Sequence, residues 1–273
     1  MSEERAYLSL QELQRVSLEL LLEFDAICKT FDIPYSLCGG TMLGAARHAG
    51  FIPWDDDVDL MMLRCDYERF LELAPAINQI DPLRQVVSNR DNTFARDYAR
   101  FVRKDYGKDE EDVIDTDCPW IGIDIFPIDD ISDDQAAFEK QVRDRVFWRE
   151  VFVACSSPRG AGSTRFKRIV RDAFRPFAFA IGRFRAARKS EQICKRFDGC
   201  GGADIAIVCG MYGTKERWPK ACYAPLGTLP FERHDLPVPR DYDTYMKAIY
   251  GDDYMQLPPE DKRKPPHIKA WKL

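Results

Sequence analysis

The segment at residues 39–62, GGTMLGAARHAGFIPWDDDVDLMM, decides the reading of this chain. It opens on the pair Gly39 and Gly40, runs through Thr41 and a short apolar stretch to Arg47 and His48, and ends among Asp55, Asp56, Asp57 and Asp59. Residues 35–38 read as a strand, so the order is strand, glycine turn, short helix over 41–47, then a second strand over 58–62. Side chains alternate faces along a strand, so Asp57 and Asp59 point the same way, and Asp55 joins them if the extended conformation begins that early. Aligned carboxylates suit a hard cation, Mg²⁺ or Mn²⁺, that keeps waters and takes phosphate oxygens in its remaining positions. An acidic turn with helix-capping duties is the competing reading. The glycines let backbone amides approach an anion at a helix N-terminus.

Outward from this segment, apolar residues recur every three or four positions over 8–31, the period of an amphipathic helix, and a further helix begins near Tyr67. Residues 83–87 and 99–103 read as strands, as does 120–126, which Pro127 is expected to stop. Every residue of that last run is apolar or glycine except Asp124, and a lone carboxylate in a central strand costs several kcal/mol unless a cation or donor compensates it. Asp124 is therefore a further metal candidate beside Asp55, Asp57 and Asp59. Helices over 134–155 and 166–197 flank a Ser/Gly/Pro linker at 156–163, and a short strand follows at 205–209. A proline-rich C-terminal part reads as an irregular wrap with one helix at 241–250. The expected class is α+β, a mixed sheet flanked by helices with a basic helical insertion. Three parts are expected: a catalytic core over 1–155, the basic segment over 156–200, and a C-terminal part over 201–273 that completes the core.

The chain has 273 residues and a formal net charge of -5, which argues against a general nucleic-acid binder. That figure hides an asymmetry. Between Pro158 and Arg196 stand twelve Lys or Arg against two acids, a net of +10, leaving -15 for the remainder. Nine cysteines at irregular positions, with no CxxC pair, read as reduced thiols of a cytosolic protein. No apolar stretch approaches the ~18 residues of a membrane span, and residues 1–20 lack a signal-peptide core, so the expected location is cytoplasmic, with peripheral contact at the inner face of the membrane open to the basic segment.

A glycine pair, short helix and D-x-D strand together form the arrangement by which the DNA polymerase beta-like nucleotidyltransferase group sets phosphates against two metals. The Walker pattern is absent, which disfavours a P-loop enzyme. Beyond this, residues 39–62 resemble the signature of the LicD family, whose members include bacterial phosphocholine transferases and, more distantly, fukutin-type phosphosugar-alcohol transferases. The strings IGIDIFPID at 121–129 and YDTYMKAIYGDDYMQLPPEDKR at 242–263 resemble the same family. The resemblance implies a nucleotidyltransferase-like fold and transfer of a phospho-alcohol from a CDP-linked donor to a sugar hydroxyl of a surface glycan, lipopolysaccharide or teichoic acid. On that reading Asp57 and Asp59 are the metal pair, Asp55 the preceding acid and Asp124 the later strand carboxylate. The most specific expectation is Mg²⁺-dependent transfer of phosphocholine from CDP-choline with release of CMP. The alternatives are a nucleotidyltransferase that uses CTP, or a non-catalytic module that binds glycan or lipid-linked partners.

Other residues join the site as candidates. Arg47 could clamp the donor pyrophosphate or pair with an acid, and His48 is a candidate base alongside an aspartate of the cluster. Gly39, Gly40 and Thr41 would contact the donor. Lys262, Arg263, Lys264 and His267 form a second candidate phosphate-contacting group. Trp54, Trp120, Trp148 and Trp218 are candidates for an aromatic cage around a quaternary ammonium, or for the core.

Overall fold

Strand pairing carries the aspartate segment into the middle of the molecule. The computed structural model describes residues 5–110, 118–160, 164–263 and 266–273. Helix α1 (Leu10–Thr30) starts at a capping box: the Glu12 N–H donates to the Ser9 hydroxyl, and the Ser9 N–H donates to the Glu12 carboxylate. Strand β1 (Ser36–Leu37) leads directly into α2 (Gly39–His48), then β2 (Asp59–Leu63), α3 (Arg64–Ile80), β3 (Arg84–Val87), β4 (Ala99–Glu110) and β5 (Trp120–Asp130). Helices α4 (Gln135–Ser156), α5 (Arg165–Ile181) and α6 (Arg183–Cys194) follow, then β6 (Asp204–Ala206), β7 (Arg217–Pro219), β8 (Gly227–Phe231), β9 (His234–Val238), α7 (Tyr242–Tyr250) and β10 (Ile268–Lys272).

The α+β class holds: helices flank a mixed, curled sheet whose central order is β1-β2-β5-β4-β10, with β3 on β4 and the β6–β7 pair on the end of β5. Strands β2 and β5 run parallel, and β4 runs antiparallel to β5. Phe24 of α1 and Phe70 of α3 meet edge to face at 5.4 Å over buried Phe101 of β4, which closes the main core. That core includes Trp218, Phe231 and Tyr245, so the C-terminal residues pack into the same interior as the N-terminal ones. A smaller cluster of Val151, Phe152, Ala178, Ala186 and Ala187 holds α4, α5 and α6 together. Arg145 of α4 ties these helices to the loop before β4 through a buried ion pair with Asp97 at 2.8 Å.

Several local expectations are corrected. Pro127 does not stop β5. The Asp124 N–H donates to the Val58 carbonyl on the β2 side, so the nitrogen of Pro127, three residues on, faces the opposite side, beyond the end of the β4 ladder at Ala99 and Ile125, where no donor is demanded. The strand expected over 58–62 is β2, beginning at Asp59, so Asp57 precedes it rather than alternating within it. The glycine pair is the first turn of α2, not a turn before it. The basic stretch is two helices broken at Gly182, whose φ of 85° ends α5. Three residues of the expected linker, 161–163, lie outside the described residues. The strand expected over 205–209 stops at Ala206. The C-terminal part has its expected helix as α7 but is more regular than expected: β8 and β9 form a hairpin through Glu232 and Arg233, both at positive φ, and β10 adds an edge to the main sheet against β4.

Candidate active site

One row across three neighbouring strands organises the site. Asp59 on β2 stands in register with Asp124 on β5, which stands in register with Arg100 on β4. Register partners share a face, so the two carboxylates and the guanidinium lie side by side. Arg100 grips Asp124 in a bidentate pair, Nε to Oδ1 at 2.5 Å and Nη2 to Oδ2 at 3.2 Å. The sequence reading did not single out Arg100. Its signal was weaker than that of Asp124, because the expected strand over 99–103 holds a second charge, Arg103.

Asp55 and Asp57 join this row from the loop before β2. Asp57 and Asp59 sit at the floor of a cleft, still touched by water but densely surrounded by protein. Burial, reinforced by the neighbouring carboxylates, pushes Asp57 up to about 7 and Asp55 up to about 6, and holds Asp59 well above the usual carboxylate range. Asp56 has a different task. Its carboxylate accepts from the backbone N–H groups of His267 and Ile268 at 2.6 Å each and pairs with His267 Nδ1 at 2.9 Å, which fastens β10 beside the cluster. Asp56, Asp57 and His267 thereby bring one possible ligand atom each within 4.8 Å of one another. No local signal in the sequence marked the Asp56–His267 contact, because 211 residues separate the partners.

The glycines have a clear structural reason. Gly39 takes a φ of 47°, and a Cβ there would lie 3.5 Å from Asp59 Oδ2, while a Cβ on Gly40 would lie 2.9 Å from Asp55 Oδ2. The anions that approach the start of α2 are therefore the protein's own carboxylates, which the helix dipole favours there. Thr41 supports them: its hydroxyl accepts the Asp59 N–H at 2.9 Å and fixes the start of β2.

The cleft above this floor has a volume of about 1240 Å³, and Trp54, Tyr212, Tyr250 and Lys262 line it together with the aspartates. Arg47 lines it too, but its Nη1 donates to the carbonyls of Tyr254 and Gln256 at 3.1 Å each, so it braces the C-terminal chain instead of pairing with an acid. Its Nε donates to His48 Nε2 at 3.0 Å; burial first, then the Arg47 charge, lowers the affinity of His48 for a proton. Arg263 stacks over Trp54 at 4.7 Å, and Lys264 lies outside the described residues. Of the four tryptophans considered for a cage, Trp54 reaches the cleft. Trp218 is buried against Tyr223 and Tyr245, Trp120 lies under Lys104, and Trp148 packs among the helices of the smaller cluster. The aromatic wall comes instead from Tyr212 and Tyr250, whose rings meet at 5.4 Å.

Residues 32–154, which include the row's Asp59, Asp124 and Arg100, match the family described as LicD/FKTN/FKRP, nucleotidyltransferase domain. These residues form a LicD-family domain. Over 270 residues, 96% of this chain and 97% of the relative, the chain is 28% identical to the lipopolysaccharide cholinephosphotransferase LicD of Haemophilus influenzae. It is also 38% identical over 77 residues to an uncharacterized protein of Rickettsia typhi, covering 28% of this chain and 23% of that one. An uncharacterized protein of Rickettsia prowazekii is 36% identical over 73 residues, 27% of this chain and 25% of the relative. The LicD-family domain thus carries the carboxylate row, while Tyr212, Tyr250, Lys262 and His267 reach the same cleft from outside it.

Proposed function

We propose that this chain transfers phosphocholine from CDP-choline to a sugar hydroxyl of a lipopolysaccharide-type glycan, releasing CMP, on a DNA polymerase beta-like nucleotidyltransferase scaffold. The carrying observation is that Asp55, Asp57 and Asp59 line an aromatic-walled cleft, with Asp124 in register beside Asp59 and lining the adjoining pocket that Asp57 shares. Its support from outside the chain is the activity named for the Haemophilus relative.

The donor set fits Mg²⁺ or Mn²⁺. Asp55, Asp57, Asp59 and Asp124 gather beside the bidentate Arg100, and the raised proton affinities of Asp55, Asp57 and Asp59 express the positive charge the floor lacks. Asp55, Asp57, Asp59 and Asp124 would hold the ion, which when bound supplies charge neutralisation of the diphosphate and of the leaving CMP. The protein's own residues do the rest. Arg100 aims Asp124 through its bidentate pair, and Thr41 fixes Asp59. Lys262 at the cleft wall attracts the diphosphate, and Arg47, oriented by His48, holds the C-terminal chain that carries Lys262. Trp54, Tyr212 and Tyr250 offer ring faces to a trimethylammonium group, which cannot be recognised by hydrogen bonds. An aspartate of the cluster is positioned to receive the acceptor proton, because the His48 Nε2 lone pair is engaged by Arg47.

The test is to incubate the protein with CDP-choline, CDP-ribitol, CDP-glycerol or CTP, with Mg²⁺ and a glycan acceptor. CMP release with CDP-choline, absent under chelation, is the expected result. Faster turnover of a polyol donor would overturn the choline assignment, and pyrophosphate released from CTP would make the protein a nucleotidyltransferase.

A further inference from the structure

Helix α5 turns its apolar stripe away from the protein. Phe166, Ile169, Val170 and Phe177 are 76%, 62%, 49% and 52% exposed, and Ala173 and Ala180 are exposed as well. At the helical period of about 3.6 residues these six share one face. The inward face is made of fully buried Ala178 with Phe174 and Ile181, together with Arg171, which pairs with Glu150 at 3.4 Å, and Arg175, which donates to the Ser157 carbonyl at 2.5 Å. A surface helix ordinarily buries its phenylalanines and exposes its arginines. Here Phe166 and Phe177 are outside while Arg171 and Arg175 turn inward, and the apolar face extends sideways: Phe177 meets Phe174 at 5.2 Å, and Phe174 meets Phe147 of α4, itself 47% exposed, at 6.3 Å.

Charge borders this face. The α5 sequence holds Arg165, Lys167, Arg168, Arg171 and Arg175 against Asp172 alone, and Arg165 and Arg168 are exposed. Helix α6 adds exposed Arg185, Arg188 and Lys189. We propose that α5 is an interfacial helix that docks the protein on an anionic lipid surface, with its apolar face at the acyl boundary and its flanking arginines among the headgroup phosphates. Charge complementarity selects this occupant. A second copy joined through this same face would bring a like arginine-bordered helix to the contact and be repelled, whereas an anionic bilayer offers opposite charge and an apolar interior together. Among the described residues no helix is long and apolar enough to cross a membrane, so the docking is peripheral. This inference stands apart from the reaction proposed above and concerns where the cleft works, not what it does.

The experiment is flotation of the full chain with vesicles of phosphatidylcholine alone or mixed with phosphatidylglycerol, at low and high salt. The expected result is binding to the mixed vesicles at low salt, weakened by salt, with little binding to phosphatidylcholine. F166S/F177S, two exposed positions, should cut the partition coefficient at least about tenfold at an unchanged thermal midpoint, and F166W/F177W should keep it. R165E should weaken binding to mixed vesicles only. Absence of binding to mixed vesicles at low salt would overturn the proposal. So would binding indifferent to F166S/F177S, or a concentration-dependent dimer of the wild type that those substitutions abolish, which would assign the face to a second copy.

Discussion

Replacing Asp57 by Asn should stabilise the metal-free protein while disabling it, and the gain should depend on pH. Asp57 is held at about 7 in the folded chain against an ordinary value of 3.8. Between those values the folded protein keeps a proton that the unfolded chain has released, so the free energy of unfolding falls as pH rises through the window. A gap of about three pH units corresponds to about 4 kcal/mol at pH 8 if Asp57 stood alone and dry. It retains contact with water and shares its repulsion with Asp55 and Asp59, which brings the expected gain for D57N to about 2 kcal/mol, or about 4–8 °C in Tm for a chain of this size. At pH 5 most of the difference vanishes, because the wild-type carboxyl is then protonated in the folded state, and the gain should shrink to about a third. The assay is thermal unfolding of both proteins with chelator at pH 5 and pH 8, repeated with Mg²⁺, which should raise the wild type more than D57N. Turnover of CDP-choline should fall at least about a hundredfold. An equal gain at both pH values, or none at pH 8, would refute the electrostatic reasoning; near-normal turnover would remove Asp57 from the metal site.

Other outcomes are expected. R100M, which leaves Asp124 without its bidentate partner, should cost about 3–5 kcal/mol in chemical denaturation and lower turnover beyond what stability explains, read by comparing kcat of the folded fraction with wild type. D97A strands buried Arg145 and removes the acceptor of the Ser190 hydroxyl, so it should also cost about 3–5 kcal/mol, with the metal response of the folded fraction unchanged. Tyr212→Ala or Trp54→Ala should raise the KM for CDP-choline at least about fivefold while altering CDP-glycerol turnover less, since a ring face lost to a quaternary ammonium is worth about 1 kcal/mol or more. T41V should weaken Mg²⁺ binding without removing a ligand, because Asp59 loses the hydroxyl that fixes its backbone.

Local pattern made part of this protein legible from its residues alone. The amphipathic period over α1, the apolar run of β5 and the aspartate string before β2 each declare themselves within a few positions, because period, propensity and charge crowding are short-range properties. Asp124 stood out for the same reason, as one carboxylate in an apolar strand. The tertiary structure alone decided which of these meet. The parallel pairing that sets Asp59 beside Asp124, and the antiparallel one that adds Arg100, are fixed by strand register over 65 and 24 residues of separation, which no local signal encodes. The same holds for Asp56, which reads as one more acid of the string and turns out to be the clasp of β10, and for Tyr212 and Tyr250, which are unremarkable in their own neighbourhoods. Sequence period also predicts that α5 is amphipathic, but it cannot say which way the helix faces. That is set by what α4 and α6 present to it, and here the contact is made by Ala178, Phe174, Ile181 and paired arginines, which leaves Phe166 and Phe177 outside.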